Sequence, residues 1–171
     1  MAISETEKGK LPQDKLNELI GVLTRREVEA RILAPMINAM SKEFGPEKVL
    51  KVVRDAIVSI ARGQGAELNR TVGGNSLAHF EKTLKFWTKD DALDIEVIER
   101  TDDAFYFDVK HCAYADMYAR LGIAELGCSL SCARDFALIE GFNRNITLRR
   151  TQTIMEGAPF CDFRYQLKKA E

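Results

Sequence analysis

Apolar positions in the first half of the chain recur every three or four residues, the period of an amphipathic helix. Leu16, Leu19, Ile20 and Leu23 form one such stripe and predict a helix over about 13–23. Thr24, with Glu27 three residues on, has the spacing of a capping box and predicts a second helix to about Phe44. That helix carries Val28, Ile32, Met36, Ile37 and Met40 on one stripe. Pro35 predicts a kink there, because proline removes a backbone donor and clashes with the preceding turn. Gly45-Pro46 reads as a stop and a restart. The next helix, about 46–62, carries Val49, Leu50, Val53, Ile57 and Ile60. Gly63, Gly65, Gly73 and Gly74 predict a partly looped stretch over 63–76. Ser76 then caps a helix to about Lys89, with Leu77, Phe80, Leu84 and Trp87 on a face. Residues 1–12, charged and ending in Pro12, read as a loose, flexible tail.

The period changes at Leu93. Ile95 to Arg100 and Ala104 to Lys110 are β-branched, aromatic and alternating, and Thr101-Asp102-Asp103 between them is a turn. Strict alternation would put Phe105, Phe107, Val109 and His111 on one face and Tyr106, Asp108, Lys110 and Cys112 on the other. Two helices follow, about 113–121 and 124–140, stopped by Gly122 and Gly141. A second hairpin runs from Ile146 to Ile154, turns at Glu156-Gly157-Ala158-Pro159, and returns from Cys161 to Leu167. The predicted fold class is α+β in a single domain over 1–171. A helical half, 13–90, packs as a layer on an antiparallel sheet of about four strands within 91–171. The sheet is two hairpins separated by a helical pair.

Composition narrows the function. Hydrophobic residues make up 46% and charged residues 30%, with net charge −1. That profile carries no basic footprint for nucleic acid. No apolar run approaches the ~20 residues that cross a bilayer. Met1 to Lys10 is polar, without the apolar core of a secretory signal, so the expected location is the cytoplasm. Thiols stay reduced there, which favours catalysis or metal binding over disulfides.

All four cysteines lie between His111 and Arg164. Cys128, Cys132 and Asp135 are spaced i, i+4, i+7, one stripe of a helix. Cys112 ends a strand and Cys161 opens the last one, and such ends can converge. Three uses compete. Cys112, Cys132 and Cys161, with His111 or Asp135, would supply four ligands to zinc or a similar divalent metal. Alternatively, Cys132 or Cys161 is a nucleophile, activated by a lowered pKa or by His111 or Asp135 as base. Or the thiols simply pack as small hydrophobes. Asp135 stands among Phe136, Ala137, Leu138 and Ile139, so an inward-facing carboxylate needs a partner. Arg149, Arg150 and Arg164 are available, either for a structural ion pair or to hold an acidic substrate.

These residues carry a resemblance. Cys112-Ala113-Tyr114, Glu125-Leu126, Cys132-x2-Asp135, Gly141-Phe142-Asn143, Arg150-x-Gln152-Thr153-Ile154-x2-Gly157 and Cys161-Asp162-Phe163-Arg164-Tyr165 together resemble the L-2-amino-thiazoline-4-carboxylic acid hydrolase family. The resemblance covers roughly residues 95–168. It implies a hydrolase that opens a C–N or C–S bond of a small cyclic amidine or amide carrying a carboxylate. It implies Cys112, Cys132, Asp135, Cys161 and Asp162 as site residues. Attack would come from a thiolate or a metal-bound water, with Asp135 as base. Arg150 or Arg164, with Asp162, would bind the substrate. The alternative is a non-enzymatic sensor that binds a small molecule or metal through the same cysteines. An unpaired hairpin edge and the Met36 and Met40 region make a homodimer the expected assembly, if any.

Overall fold

A computed structural model describes residues 14–168. The expected tail, residues 1–12, lies outside them. Two long helices open the chain, α1 (Leu16–Phe44) and α2 (Pro46–Val72). The break in α1 is at Gly21, with φ 73° and ψ 164°, and not at Thr24 or Pro35. Glycine enters this backbone region without the steric penalty of a Cβ. Pro35 sits inside continuous helix on an exposed face, where the carbonyl that it frees can reach water.

The buried stripe of α1 also differs from the predicted one. Val22, Arg26, Ala30, Ala34 and Ile37 face inward, while Val28, Ile32 and Met36 are 52%, 58% and 52% exposed. Two alanines let α1 lie close to its neighbours, and a buried arginine displaces the apolar stripe outward.

Helix α2 runs through Gly63 and Gly65 instead of looping there. After the short α3 (Leu77–Glu81) come two single 3-10 turns and strands β1 (Leu93–Arg100) and β2 (Ala104–Cys112). The expected helix from Ser76 to Lys89 is thus broken into pieces, although Ser76 does cap it by accepting from His79 N. Helices α4 (Ala113–Arg120) and α5 (Ala124–Gly127) follow. A π-helical turn, Cys128–Cys132, then leads into α6 (Arg134–Phe142), and β3 (Ile146–Arg149) and β4 (Cys161–Leu167) close the chain.

Gly65 in α2 and Gly141 in α6 have a packing reason. A Cβ on Gly65 would sit 2.0 Å from the Leu138 carbonyl oxygen, and one on Gly141 would sit 2.0 Å from that of Arg62. Helices α2 and α6 therefore touch backbone to backbone, and Gly141 lies within α6 instead of ending it. Gly65→Ala should force them apart and cost about 2 kcal/mol, within the usual range for overpacking. Urea unfolding of the variant checks this; an unchanged midpoint would contradict the close approach.

The four strands are antiparallel in the order β1-β2-β4-β3. Strand β3 stops at Arg149, five residues before the expected Ile154, and 150–160 become a long connection. Phe105, Phe107, Val109 and Tyr165 from the sheet meet Phe80, Leu138 and Phe142 from the helices to form the main core. Edge-on and tilted ring contacts, such as Phe80 with Phe142 and with Tyr165, knit that layer. A second core joins α1, α2 and α4 through Ala30, Ala34, Ile57, Met117 and Tyr118. No helix among the described residues is long and apolar enough to cross a membrane.

Candidate functional site

Against the main core lies a mostly apolar cavity of about 70 Å³. One water needs ~10–15 Å³, so the space admits a few waters or part of a small ring compound. Cys112, Cys132, Asp135, Arg150 and Cys161 all line it, with Arg26, Tyr114 and Arg134. Apart from Arg26, which lies within α1, each is delivered by a local irregularity or an element end.

Cys112 owes its direction to a β-bulge. Ile95 pairs with Val109, but Asp94 pairs with His111 and Leu93 with Cys112, so Lys110 is an extra residue on β2. An extra residue reverses the alternation beyond it. Cys112 therefore lines the cavity and His111 is exposed, the opposite of the faces that strict alternation predicts. Cys132 closes the π-helical turn, and Asp135 lies in the first turn of α6. The Cys128 and Cys132 thiols stay within hydrogen-bonding reach of each other across the π-helical turn. Cys132 lines the cavity, whereas Cys128 lines an open cleft of about 440 Å³ with Arg54, Arg62 and Glu156. Cys132 and Arg150 border both spaces. Cys161 is the first residue of β4.

Arg150 is the partner that a half-buried Asp135 requires. Its Nη1 donates to Asp135 Oδ2, its Nη2 donates to the Cys132 carbonyl at 3.2 Å, and Phe136 and Phe163 flank the guanidinium at 5.1 Å each. Both terminal nitrogens are thus engaged by the protein. Burial pushes the Asp135 carboxyl above its ordinary range even though Arg150 pulls it down.

The thiols are likewise dominated by burial. Cys112 is pushed up to about 11, against backbone N–H groups of Ala115 and Tyr114. Burial, and next the charge of Asp135, drive Cys132 well above the usual thiol range. Cys161 is raised by burial too, opposed by the Ile154 N–H, which donates to its sulfur at 3.2 Å, and by Arg150. Cys128 also rises. The expectation of a thiol with lowered pKa is therefore corrected: all four are neutral at pH 7. The cause is burial, which outweighs the pull of Arg150 on Cys128, Cys132 and Cys161. Iodoacetamide at pH 7 should find no fast thiol, and labelling should accelerate steadily above pH 9; a rapid phase at pH 7 would contradict this electrostatic picture.

The other sequence-predicted residues lie elsewhere. His111 Nε2 contacts Asp116 Oδ2 at 2.8 Å on the exterior. Arg164 donates to the Phe107 carbonyl at 2.8 Å and to Asp108 Oδ1 at 2.7 Å, outside the cavity wall. Asp162 accepts from Thr151 N, Thr151 Oγ1 and Gln152 N at 2.9, 2.7 and 2.9 Å. Burial would raise its carboxyl, but those hydrogen bonds outweigh it and hold the group low. It fastens the β3–β4 connection to the sheet. Among the described residues, no group of three or more His, Cys, Asp or Glu side chains is arranged to hold a metal ion. The expected ligand set of Cys112, Cys132, Cys161 and His111 does not assemble, since the bulge turns His111 outward.

Sequence reasoning missed the charged floor of the cavity. Arg26 and Arg134 are 4% and 5% exposed. Glu29 accepts from Arg25 at 3.1 Å, Arg26 at 2.7 Å and Arg134 at 3.0 Å. Arg134 Nε donates to the Leu130 carbonyl at 2.8 Å. Burial, and then the neighbouring Arg26, lower the Arg134 guanidinium to about 10. The available signal was the spacing Arg26-x3-Ala30-x3-Ala34, a stripe of small residues that begins with a charge.

Comparison with known proteins places this geometry. The phenol-responsive sensory domain of the transcription activator PoxR, solved with phenol, matches with a TM-score of 0.51 and 13% identity, over 80% of this chain and 73% of that one. Subunit 3 of a trafficking protein particle complex from Naegleria fowleri, covalently bound to palmitic acid, matches with a TM-score of 0.47 and 11% identity, over 85% and 96%. The first likeness is one of fold. No curated protein matches the sequence significantly. Residues 25–165, which span both the cavity-lining cysteines and the buried arginines, match the family described as L-2-amino-thiazoline-4-carboxylic acid hydrolase. The chain belongs to that family.

Proposed function

We propose that this protein is a hydrolase that opens a C–N or C–S bond of a small cyclic amidine or amide bearing a carboxylate. The observation that carries this reading is the shared cavity: three thiols and the half-buried carboxylate of Asp135 line one space, in a chain of this family. Asp135 is the general base. Its raised pKa makes it a stronger base than an ordinary carboxylate, closer to the range in which proton transfer at neutral pH is efficient.

Cys161 is the nucleophile that its surroundings favour, because the Ile154 N–H and Arg150 both support negative charge on sulfur. The thiol is neutral, so attack and deprotonation occur together. The S–C bond forms at the electron-poor ring carbon as the proton passes to Asp135, directly or through one water. Protonated Asp135 returns that proton to the leaving ring atom as the ring bond breaks. Water, deprotonated by Asp135 in turn, then cleaves the S–C bond and restores the thiol. A metal-bound water would need a donor set that the described residues do not assemble.

The test is hydrolysis of L-2-amino-thiazoline-4-carboxylate by the purified chain, with mass spectrometry for a covalent adduct. Turnover in wild type and its loss in Cys161→Ser are the expected results. Retention of wild-type turnover in that variant removes the thiol step and leaves direct attack by water. Binding without turnover in wild type would favour the sensor reading, whose support is that every thiol is held neutral.

A further inference from the structure

The arginines under the cavity are one anion short. Arg25, Arg26, Arg134 and Arg150 meet the carboxylates of Asp14, Glu29 and Asp135, and no other carboxylate is ion-paired to these arginines among the described residues. The excess charge has a location. Arg134 lines the cavity and is 5% exposed, and two of its nitrogens are satisfied, Nε by the Leu130 carbonyl and Nη2 by Glu29. Its third, Nη1, is buried without a hydrogen-bond partner among the described residues. An unpaired buried donor on a charged group is costly, and native structures rarely tolerate one without a reason. Arg26 lies beside it on the cavity wall, with one nitrogen on Glu29.

We propose that Arg134, assisted by Arg26, is the anchor for a monocarboxylate ligand in this cavity. A carboxylate there would accept from Nη1, cancel the surplus charge, and fix its ring toward Asp135 and the thiols. This rests on the proposed hydrolase reading for the identity of the reacting ring, but not for the anion preference itself. It also reassigns a role: Arg150 and Arg164, the arginines most visible in the sequence, have their donors committed to protein acceptors. Nothing in the cavity calls for a second negative charge, so a dicarboxylate or a phosphate is disfavoured.

The experiment measures binding apart from turnover. The full chain is titrated with thiophene-2-carboxylate, a flat ring acid that cannot be hydrolysed, and with thiophene-2-carboxamide as the uncharged control. Thermal shift and calorimetry give the affinities. In wild type the acid should bind at least ~10-fold more tightly than the amide, since a charge-assisted contact is lost in the control. That preference should disappear in Arg134→Met. Because Arg134 also holds Glu29, the second variant Arg134→Gln, which can still donate to Glu29 without a charge for the ligand, guards against misfolding. Equal binding of acid and amide by wild type overturns the proposal, as does an acid preference that survives in either folded variant. If the acid binds through Arg134 but no cyclic amidine is hydrolysed, the reaction assignment fails and the anchor stands. If hydrolysis proceeds and the Arg134 variants keep their preference for the acid, the anchor fails and the reaction stands.

Discussion

Asp135→Asn should lower kcat/KM for the cyclic amidine by about 10²–10⁴-fold, the usual worth of a positioned general base. The asparagine keeps the shape and can still accept from Arg150, so the loss would report proton transfer more than collapse of the site. The pH profile makes the test sharper. Burial raises the Asp135 pKa, so the active, ionised form is lost as pH falls through a value above the ordinary ~3.9. The acid limb of wild-type kcat/KM should lie on the high side of that value and vanish in the variant. Stability should move the other way. A carboxyl whose folded pKa is raised binds its proton more tightly in the folded chain, so acidification through that range stabilises the fold while silencing the site. An acid limb at the ordinary carboxylate position, or a variant within a few-fold of wild type, would remove Asp135 from the mechanism.

Glu29→Gln should be the most damaging conservative change to the fold, at about 3 kcal/mol. One carboxylate serves three guanidinium groups, two of them on nearly inaccessible arginines. Removing one partner of a buried pair typically costs ~3–5 kcal/mol, because it strands the opposite charge. Glu29 keeps 28% of its side-chain surface, which puts the estimate at the low end. Burial alone would raise its pKa, but Arg26, Arg134 and Arg25 outweigh that and hold it low. Its contribution is therefore present above the unfolded value of ~4.3 and is lost as pH falls through the lower folded value. Urea unfolding at pH 7 should show the full difference between variant and wild type, and the gap should narrow in acid. A difference under ~1 kcal/mol at pH 7 would mean that the arginines find other partners.

Much of the architecture was legible because period and punctuation are local signals. The two hairpins, the helical pair between them and the Ser76 cap follow from residues within a few positions of one another. Cys112, Cys132, Asp135 and Cys161 were visible as element ends and a helical stripe. What stayed hidden depended on distant partners. Gly65 and Gly141 look like breakers until two helices meet at backbone distance. Arg26 looks like surface until Glu29 and Arg134 close over it. The directions of His111 and Cys112 hang on a mismatch in strand length, which no window on β2 alone reveals. Arg164 and Asp162 carry a family motif, yet their hydrogen bonds hold the sheet and the β3–β4 connection together.

The surplus residue at Lys110 has a consequence for how this scaffold can vary. A relative or a redesigned chain lacking it would keep the present faces, since His111 would still pair with Asp94 and Cys112 with Leu93, whereas a chain that kept Lys110 but drew it into a regular ladder would present an imidazole to the interior and a thiol to solvent. A one-step slip of register beyond Val109 could thus exchange sulfur chemistry for nitrogen chemistry without altering the fold. In this protein, the register of one strand pair is a chemical setting as much as an architectural one.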